Sequence, residues 1–134
     1  MRNSIKKITF TLFLMGFSTL ACAEWVKMTF SEDGNTTFYW NNSLIQRNGN
    51  IVKLWKLVDE SVSKKYGNES YLSSKDLTEY DCANKKFRWM NLYLYSKNMA
   101  SGELVYSDLI PKVWVDVPPD SIAEMYLKVA CKKR

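Results

Sequence analysis

The sequence predicts an α+β domain: an antiparallel meander sheet of about six strands, with one C-terminal helix packed on it and tied to it by a disulfide. Three observations predict this class. Short β-branched and aromatic runs, separated by turn residues, fill most of the chain. Only the stretch after Ser121 has a helical period. Only two cysteines, Cys82 and Cys131, lie beyond the N-terminal segment.

Residues 1–23 have the three parts of a secretory signal peptide. A basic start is followed by an apolar run and then by small residues. The apolar run is too short and too rich in Gly, Ser and Thr for a membrane span, which needs about 20 residues. Ala21-Cys22-Ala23 predicts cleavage after Ala23, which leaves residues 24–134 as the mature domain. The alternative is a lipoprotein anchored at Cys22, but Thr19 stands where that pathway prefers an aliphatic residue.

Removal of this segment changes the charge and the cysteine count. Three of the 19 basic residues lie in it, which leaves 16 against 14 acidic residues and lowers the net charge from +5 to +2. This small charge disfavours nucleic acid as a partner. The three cysteines become two, and an even pair in an oxidising compartment predicts a disulfide between Cys82 and Cys131.

The first half of the mature domain predicts two hairpins followed by a loop. The strands of the hairpins are residues 24–30, 36–40, 43–47 and 51–58. Asn48-Gly49 joins the last two strands, and Asn-Gly favours the positive φ angles of a type I′ turn. The polar stretch over residues 59–76 predicts a long loop.

The second half predicts three more strands and the helix. The strands are residues 77–82, 87–95 and 103–107. Ser121 and Glu124 have the spacing of a capping box after Pro118-Pro119. Two apolar rows then follow at helical spacing: Ile122, Tyr126 and Ala130, and Ala123, Leu127 and Cys131. A helix this apolar must pack on the sheet.

Several kinds of chemistry are disfavoured by the composition. The chain has no histidine, so the commonest general acid/base and metal ligand is missing. With both mature cysteines paired, no thiolate remains for catalysis or zinc binding, and there is no Gly-rich phosphate loop. We therefore expect no catalytic residues, no metal site and no cofactor.

Aromatic residues are abundant, with five tryptophans and eight tyrosines. In the strand over residues 87–95, alternation places one set on one face: Phe87, Trp89, Tyr93 and Tyr95. Trp55 lies on the apolar strand over residues 51–58. Both faces of the sheet thus carry apolar residues, and one helix covers only one of them. Either loops cover the second face, or it is a partner or dimer surface.

Three basic residues, Lys85, Lys86 and Arg88, follow Cys82 closely. They are interpreted either as solvated charges that keep a strand edge soluble or as a patch for an acidic protein. The candidate partner-binding residues are Trp55, Lys85, Lys86, Arg88, Trp89, Tyr93 and Tyr95.

Several short segments follow one another in a characteristic order along nearly the whole mature chain. They are Trp25, residues 39–41, 48–55, 79–82 (ending Tyr-Asp-Cys), 94–99 and 101–107, Trp114, residues 119–121 and Cys131. In this order the sequence resembles the surface-adhesin protein E family of Gram-negative bacteria. It departs from the family in having Pro-Pro-Asp-Ser where Pro-Gly-Ser is common before the helix.

The resemblance implies antiparallel strands, a C-terminal helix and a disulfide between them. It also implies adhesion to host extracellular proteins and pairing of two copies through the sheet. We therefore expect an exported, non-catalytic binding domain that contacts a host extracellular-matrix or envelope protein, in the periplasm or at the cell surface, with a homodimer through the sheet as a further expectation. The alternative is a soluble periplasmic accessory or inhibitor protein with no adhesive role.

Overall fold

The computed structural model describes residues 24–133, so the predicted signal peptide lies outside the described residues. Eight strands and one helix follow along the chain. They are β1 (Trp25–Phe30), β2 (Thr36–Asn41), β3 (Gln46–Asn48), β4 (Ile51–Tyr66), β5 (Glu69–Asp81), β6 (Lys86–Lys97), β7 (Ser101–Asp108), β8 (Val115–Asp116) and α1 (Ile122–Cys131).

The strands form one antiparallel sheet in the order β1-β2-β4-β5-β6-β7. Two short strands extend it: β3 pairs with the start of β4, and β8 pairs with the start of β6. Neighbours in the sheet are therefore close neighbours in sequence, as local hairpins require. The predicted six-stranded meander with a C-terminal helix is confirmed.

The predicted loop over residues 59–76 is wrong, because these residues continue β4 and β5. Lys64 pairs with Tyr71, and Tyr66 pairs with Glu69 across a turn that contains Gly67 at φ +59°. Residues 61–66 are all exposed. Because both faces of this two-stranded ribbon are solvated, its residues do not need to alternate between apolar and polar. Without that alternation the sequence resembles that of a loop. We refer to residues 61–71 as the ribbon.

The hairpin at Asn48-Gly49 is confirmed, but its turn and its first strand differ from prediction. Asn48 pairs with Ile51, so the turn residues are Gly49 and Asn50, and only Gly49 has a positive φ. A type I′ turn needs positive φ at both positions. Strand β3 also begins at Gln46, three residues after the predicted start. The Asn41 carboxamide accepts the backbone N–H groups of residues 43 and 44 at 2.8 and 3.0 Å, which turns the chain before β3.

The helix begins as the capping pattern predicts, with one change in hydrogen bonding. The Ser121 hydroxyl accepts the Glu124 N–H at 3.1 Å. The Glu124 carboxylate accepts the N–H of Asp120 at 2.8 Å, one residue before the position expected in a capping box. Glu124 is also 2.8 Å from Lys128, and these bonds hold the pKa of Glu124 below its usual value.

Replacement of the capping serine should cost measurable stability. Ser121→Ala removes the acceptor for the Glu124 N–H, and we expect it to lower the free energy of unfolding by about 1 kcal/mol. Urea denaturation followed by circular dichroism would measure this loss. Ser63→Ala, on the exposed ribbon, is the control and should change stability by less than about 0.5 kcal/mol. Equal stability of both variants would contradict the assigned cap.

The core lies between the helix and one face of the sheet. Its buried members are Val52, Leu54, Tyr80, Phe87, Tyr126, Leu127 and Ala130. Tyr126 donates its hydroxyl hydrogen to the backbone oxygen of Tyr39 at 3.0 Å. Burial raises the pKa of Tyr126 well above its usual value, so the hydroxyl stays neutral.

The predicted disulfide is confirmed. Cys82, directly after β5, is bonded to Cys131 in the last helical turn, with the two Cα atoms 5.6 Å apart. Since Cys131 belongs to the helix and Cys82 to the end of a sheet strand, the bond ties the two layers together.

A buried ion pair lies on the same face of the sheet as the core. The Lys56 ammonium is 3.2 Å from the Asp76 carboxylate, and both side chains are at most 10% exposed. Thr78 donates a hydrogen bond to Asp76 at 2.6 Å. The Lys56 nitrogen also lies 4.7 Å from the centre of the Tyr126 ring. The sequence predicts Asp76 at the end of a loop, whereas the structure buries it in the middle of β5.

Candidate functional site

A β-bulge divides the aromatic residues of β6 between the two faces of the sheet. Thr78 of β5 is opposite Trp89 of β6. The residue before it, Leu77, is opposite Asn91, so Met90 is the extra residue in β6. An extra residue reverses the alternation that follows it. The expectation that Phe87, Trp89, Tyr93 and Tyr95 share one face is therefore wrong. Phe87 and Trp89 lie on the face that carries the helix, and the two tyrosines lie on the other.

The face without a helix, which we call the open face, holds most of the candidate partner-binding residues. Trp55 and Tyr93 are 6.2 Å apart between ring centres. The ammonium of Lys75 lies 5.0 Å from the centre of Trp55 and 5.8 Å from that of Tyr93. Such cation–π contacts hold the lysine against the rings. Sequence reasoning missed Lys75 because it fell within the predicted loop.

Tyr95 extends this cluster along β6. It is half-buried and pairs with Leu104 of β7, an exposed apolar residue. Partial burial, with a smaller contribution from Tyr93, raises the pKa of Tyr95. The phenol therefore stays neutral at physiological pH and offers a hydrogen-bond donor on the open face.

Arg88 lies beside the aromatic cluster on the open face, in a charged row across three strands. Its guanidinium is 3.0 Å from the carboxylate of Glu79, which Lys53 approaches to 3.8 Å on the other side. The indole of Trp114 lies 4.7 Å from the guanidinium carbon. Arg88 is thus held on one side by a nearly buried carboxylate and on another by an aromatic ring. Trp114 was not among the candidate residues, because its contact comes from the segment between β7 and β8.

The other two basic residues of the segment 85–88 differ in position. Lys86 lies two residues before Arg88 in β6, on the same face, and is 3.0 Å from Asp116 of β8 at the sheet edge. Lys85, in a turn with φ +52°, lines a cavity of about 380 Å³ beside the disulfide, together with Glu124 and Lys128. The structure therefore places Lys86 and Arg88 on one face of the sheet and Lys85 apart from them, beside the disulfide. Two of the three are engaged by a nearby carboxylate.

Trp89 lies apart from the open face. It is 42% exposed, and its ring contacts Phe87 edge to face at 5.0 Å. It borders a second cavity, of about 320 Å³, with Tyr66 and Tyr106. The aromatic residues thus form two separate surfaces on opposite faces of the sheet.

Two findings concern the whole described part of the chain. Across residues 24–133, no three side chains among His, Cys, Asp and Glu converge where they could hold a metal ion. No helix in the same range is long and apolar enough to cross a bilayer.

Comparison with known proteins gives a family and a fold. The sequence profile of the family Surface-adhesin protein E matches residues 25–132. Among curated proteins, none has significant sequence similarity to the chain.

Solved structures of Haemophilus influenzae protein E share the fold. Crystal form II has a TM-score of 0.61 at 14% identity, over 78% of this chain and 86% of that chain. A selenomethionine form has a TM-score of 0.60 at 14% identity, over 80% and 84%. Protein E from a non-typeable strain has a TM-score of 0.55 at 15% identity, over 78% and 74%. At such identities the likeness establishes the fold alone.

Proposed function

The chain belongs to the surface-adhesin protein E family, and we propose from this membership that it is an exported, non-catalytic binding domain that contacts another protein through its open face. The family supplies the expectation of binding, and the open face is the surface whose chemistry fits a protein partner.

The observation that carries this proposal is the cluster of Trp55, Lys75 and Tyr93. Aromatic side chains are enriched at protein interfaces, because they bury large areas while losing little rotamer freedom. The helix lies on the opposite face and contributes nothing to their burial. Arg88, stacked on Trp114, lies in the charged row beside them. An aromatic centre with charged groups at its side is the usual anatomy of an interface.

The proposed partner is a host extracellular-matrix or envelope protein. A second copy of this chain, joined through the sheet, is another occupant of the same face. The predicted signal peptide supports export, with cleavage after Ala23 or acylation at Cys22. A soluble periplasmic accessory or inhibitor protein is the alternative function, and it would use the same face without surface display.

Surface plasmon resonance with the oxidised mature domain would test the proposal against extracellular-matrix and envelope proteins. We expect binding at micromolar concentrations, weakened about tenfold or more in Trp55→Ala/Tyr93→Ala, because truncated aromatic anchors commonly cost this much. Met125→Ala, on the exposed side of the helix, is the control and should bind normally. Absence of binding by the oxidised wild type would count against the proposal.

Two further measurements test whether a second copy of the chain occupies the open face and whether the protein is soluble in the periplasm or displayed at the surface. Sedimentation of the wild type and of Trp55→Ala/Tyr93→Ala reports whether a second copy uses the open face. Cell fractionation with intact-mass analysis distinguishes a soluble chain beginning at Glu24 from an acylated chain beginning at Cys22. Only surface exposure is compatible with direct adhesion.

A further inference from the structure

The ribbon folds toward the edge of the sheet and forms a cavity there on the helix-bearing face. This cavity has a volume of about 320 Å³, and its lining includes Tyr66 of the ribbon, Trp89 and Leu92 of β6, Tyr106 and Asp108 of β7, and Lys112. No residue of α1 lines it. It is thus distinct from the space under the helix, which Trp89 also borders, and it lies on the face opposite the open face.

Three aromatic rings form the walls of this cavity, which we call the ribbon cavity. Tyr66 and Tyr106 are 4.4 Å apart between ring centres, and their hydroxyl groups are 3.3 Å apart. This hydrogen bond is the largest influence raising the pKa of Tyr106, so its phenol stays neutral. Trp89 and Tyr66 are 42% and 48% exposed. Large aromatic side chains left this exposed around a concavity indicate a binding surface.

The polar side of the ribbon cavity is an ion pair that leaves hydrogen-bonding capacity free. The Lys112 ammonium is 2.6 Å from one Asp108 oxygen, and the Ile110 N–H is 2.9 Å from the other. These bonds keep the pKa of Asp108 below its usual value, so the group is a carboxylate at neutral pH. A carboxylate offers about four lone-pair sites, and a lysine ammonium offers more than one N–H donor. The pair therefore has further acceptors and donors for a ligand.

The charges of this pair select the class of ligand. The Asp108 carboxylate repels an anionic ligand, and the Lys112 ammonium repels a cationic ligand. Neither kind of ligand therefore gains net electrostatic attraction from the pair. A neutral molecule with hydroxyl groups can use both the acceptor and the donor. Its apolar part must present C–H groups to the aromatic faces, which carry negative charge on their π-clouds. A pyranose ring has both features, with hydroxyl groups around its rim and C–H groups on its face.

We infer that the ribbon cavity binds a neutral saccharide, with a sugar ring against Trp89 and its hydroxyl groups on Asp108 and Lys112. The volume lies near the lower end of ligand cavities, roughly 300–1,000 Å³, and suits about one or two rings. This inference does not depend on the proposed protein contact, since the two surfaces lie on opposite faces of the sheet.

Titration with oligosaccharides, followed by NMR of the tryptophan indole N–H groups, tests the inference. All five tryptophans lie in the mature domain, so the spectrum should contain five indole signals. Trp89→Phe identifies the signal of Trp89. Sialyllactose is the charged comparison. The neutral probes are lactose, maltotriose, cellotriose and triacetylchitotriose, each added to the oxidised domain. We expect at least one of them to shift the Trp89 signal with a Kd of about 1 mM or tighter, and to leave the Trp55 signal unchanged.

Variants connect the shift to the ribbon cavity. Trp89→Ala should weaken binding of the active saccharide about tenfold or more, and Trp89→Phe, which keeps an aromatic face, should weaken it less. Trp55→Ala, on the open face, is the matched control and should bind like the wild type. Backbone amide signals far from residue 89 report whether each variant is folded.

Several results would overturn the inference. The first is that none of the four saccharides shifts Trp89 at any accessible concentration. The second is a folded Trp89→Ala variant that binds as well as the wild type. The third is binding only of a charged saccharide such as sialyllactose, which would contradict the neutral class derived from the Asp108–Lys112 pair.

Discussion

Reduction of the Cys82–Cys131 disulfide is expected to lower the free energy of unfolding by about 4 kcal/mol. The bond joins residues separated by 49 positions, and for such a loop the chain-entropy model gives about this value. The loop contains β6, β7, β8 and the helix, so the unfolded chain gains freedom over nearly half of residues 24–133. A marginally stable domain, with about 5–15 kcal/mol in total, would lose a large share of its stability.

The melting temperature should fall accordingly, by roughly 15–30 °C for a domain of this size. Calorimetry with and without excess reductant would measure the change, with complete reduction verified by intact mass. The double variant Cys82→Ser/Cys131→Ser is the control, because its melting temperature should be low and insensitive to reductant. An unchanged melting temperature in fully reduced wild type would refute the stabilising role.

Lys56→Met is expected to destabilise the domain by about 3–5 kcal/mol, because it leaves the Asp76 carboxylate buried without its counter-ion. The pair is separated by 3.2 Å and is almost fully enclosed. The hydrogen bond from Thr78 compensates only part of the lost interaction. Replacement of both partners, as Lys56→Met/Asp76→Leu, removes both buried charges and should restore most of the stability.

Urea denaturation of the single and double variants would give the coupling energy between the two positions. Lys53→Met is the matched control, since it is the same substitution on the same strand. Lys53 is 40% exposed and lies 3.8 Å from Glu79, whose nearly buried carboxylate keeps its closer partner Arg88 at 3.0 Å, so we expect replacement of Lys53 to cost at most about 1 kcal/mol. If Lys56→Met cost no more than Lys53→Met, the buried pair would have no special energetic role.

The ion pair also illustrates what could not be predicted from the sequence. Residues 59–76 are polar and lack alternation, so they predict a loop. In the structure they complete the two longest strands, and Asp76 is buried beside Lys56. The sequence does not predict that Lys56 and Asp76 form a pair. They are 20 positions apart, and only the register of β4 and β5 brings them together. The same register places Lys75 over Trp55 and Tyr93.

The candidate sites divide in a similar way. Trp55, Tyr93 and Tyr95 were identified from composition and strand pattern, and they do share the open face. Trp89 was assigned to the same face and lies on the other, because the bulge at Met90 shifts the alternation by one residue. Trp114 and Tyr66 were missed, since their contacts depend on how a connecting segment and the ribbon fold back on the sheet.

The fold class, the meander order, the position of the helix and the disulfide can all be predicted from the sequence. These features rest on signals between neighbours along the chain, such as turn residues, the capping serine and apolar periods, or on a cysteine count that leaves one pairing. Only strand pairing in three dimensions places the aromatic residues on their faces, buries Lys56 with Asp76 and sets the ribbon beside its cavity. These outcomes depend on strand register and on bulges, and a shift of one residue in either moves a side chain to the opposite face.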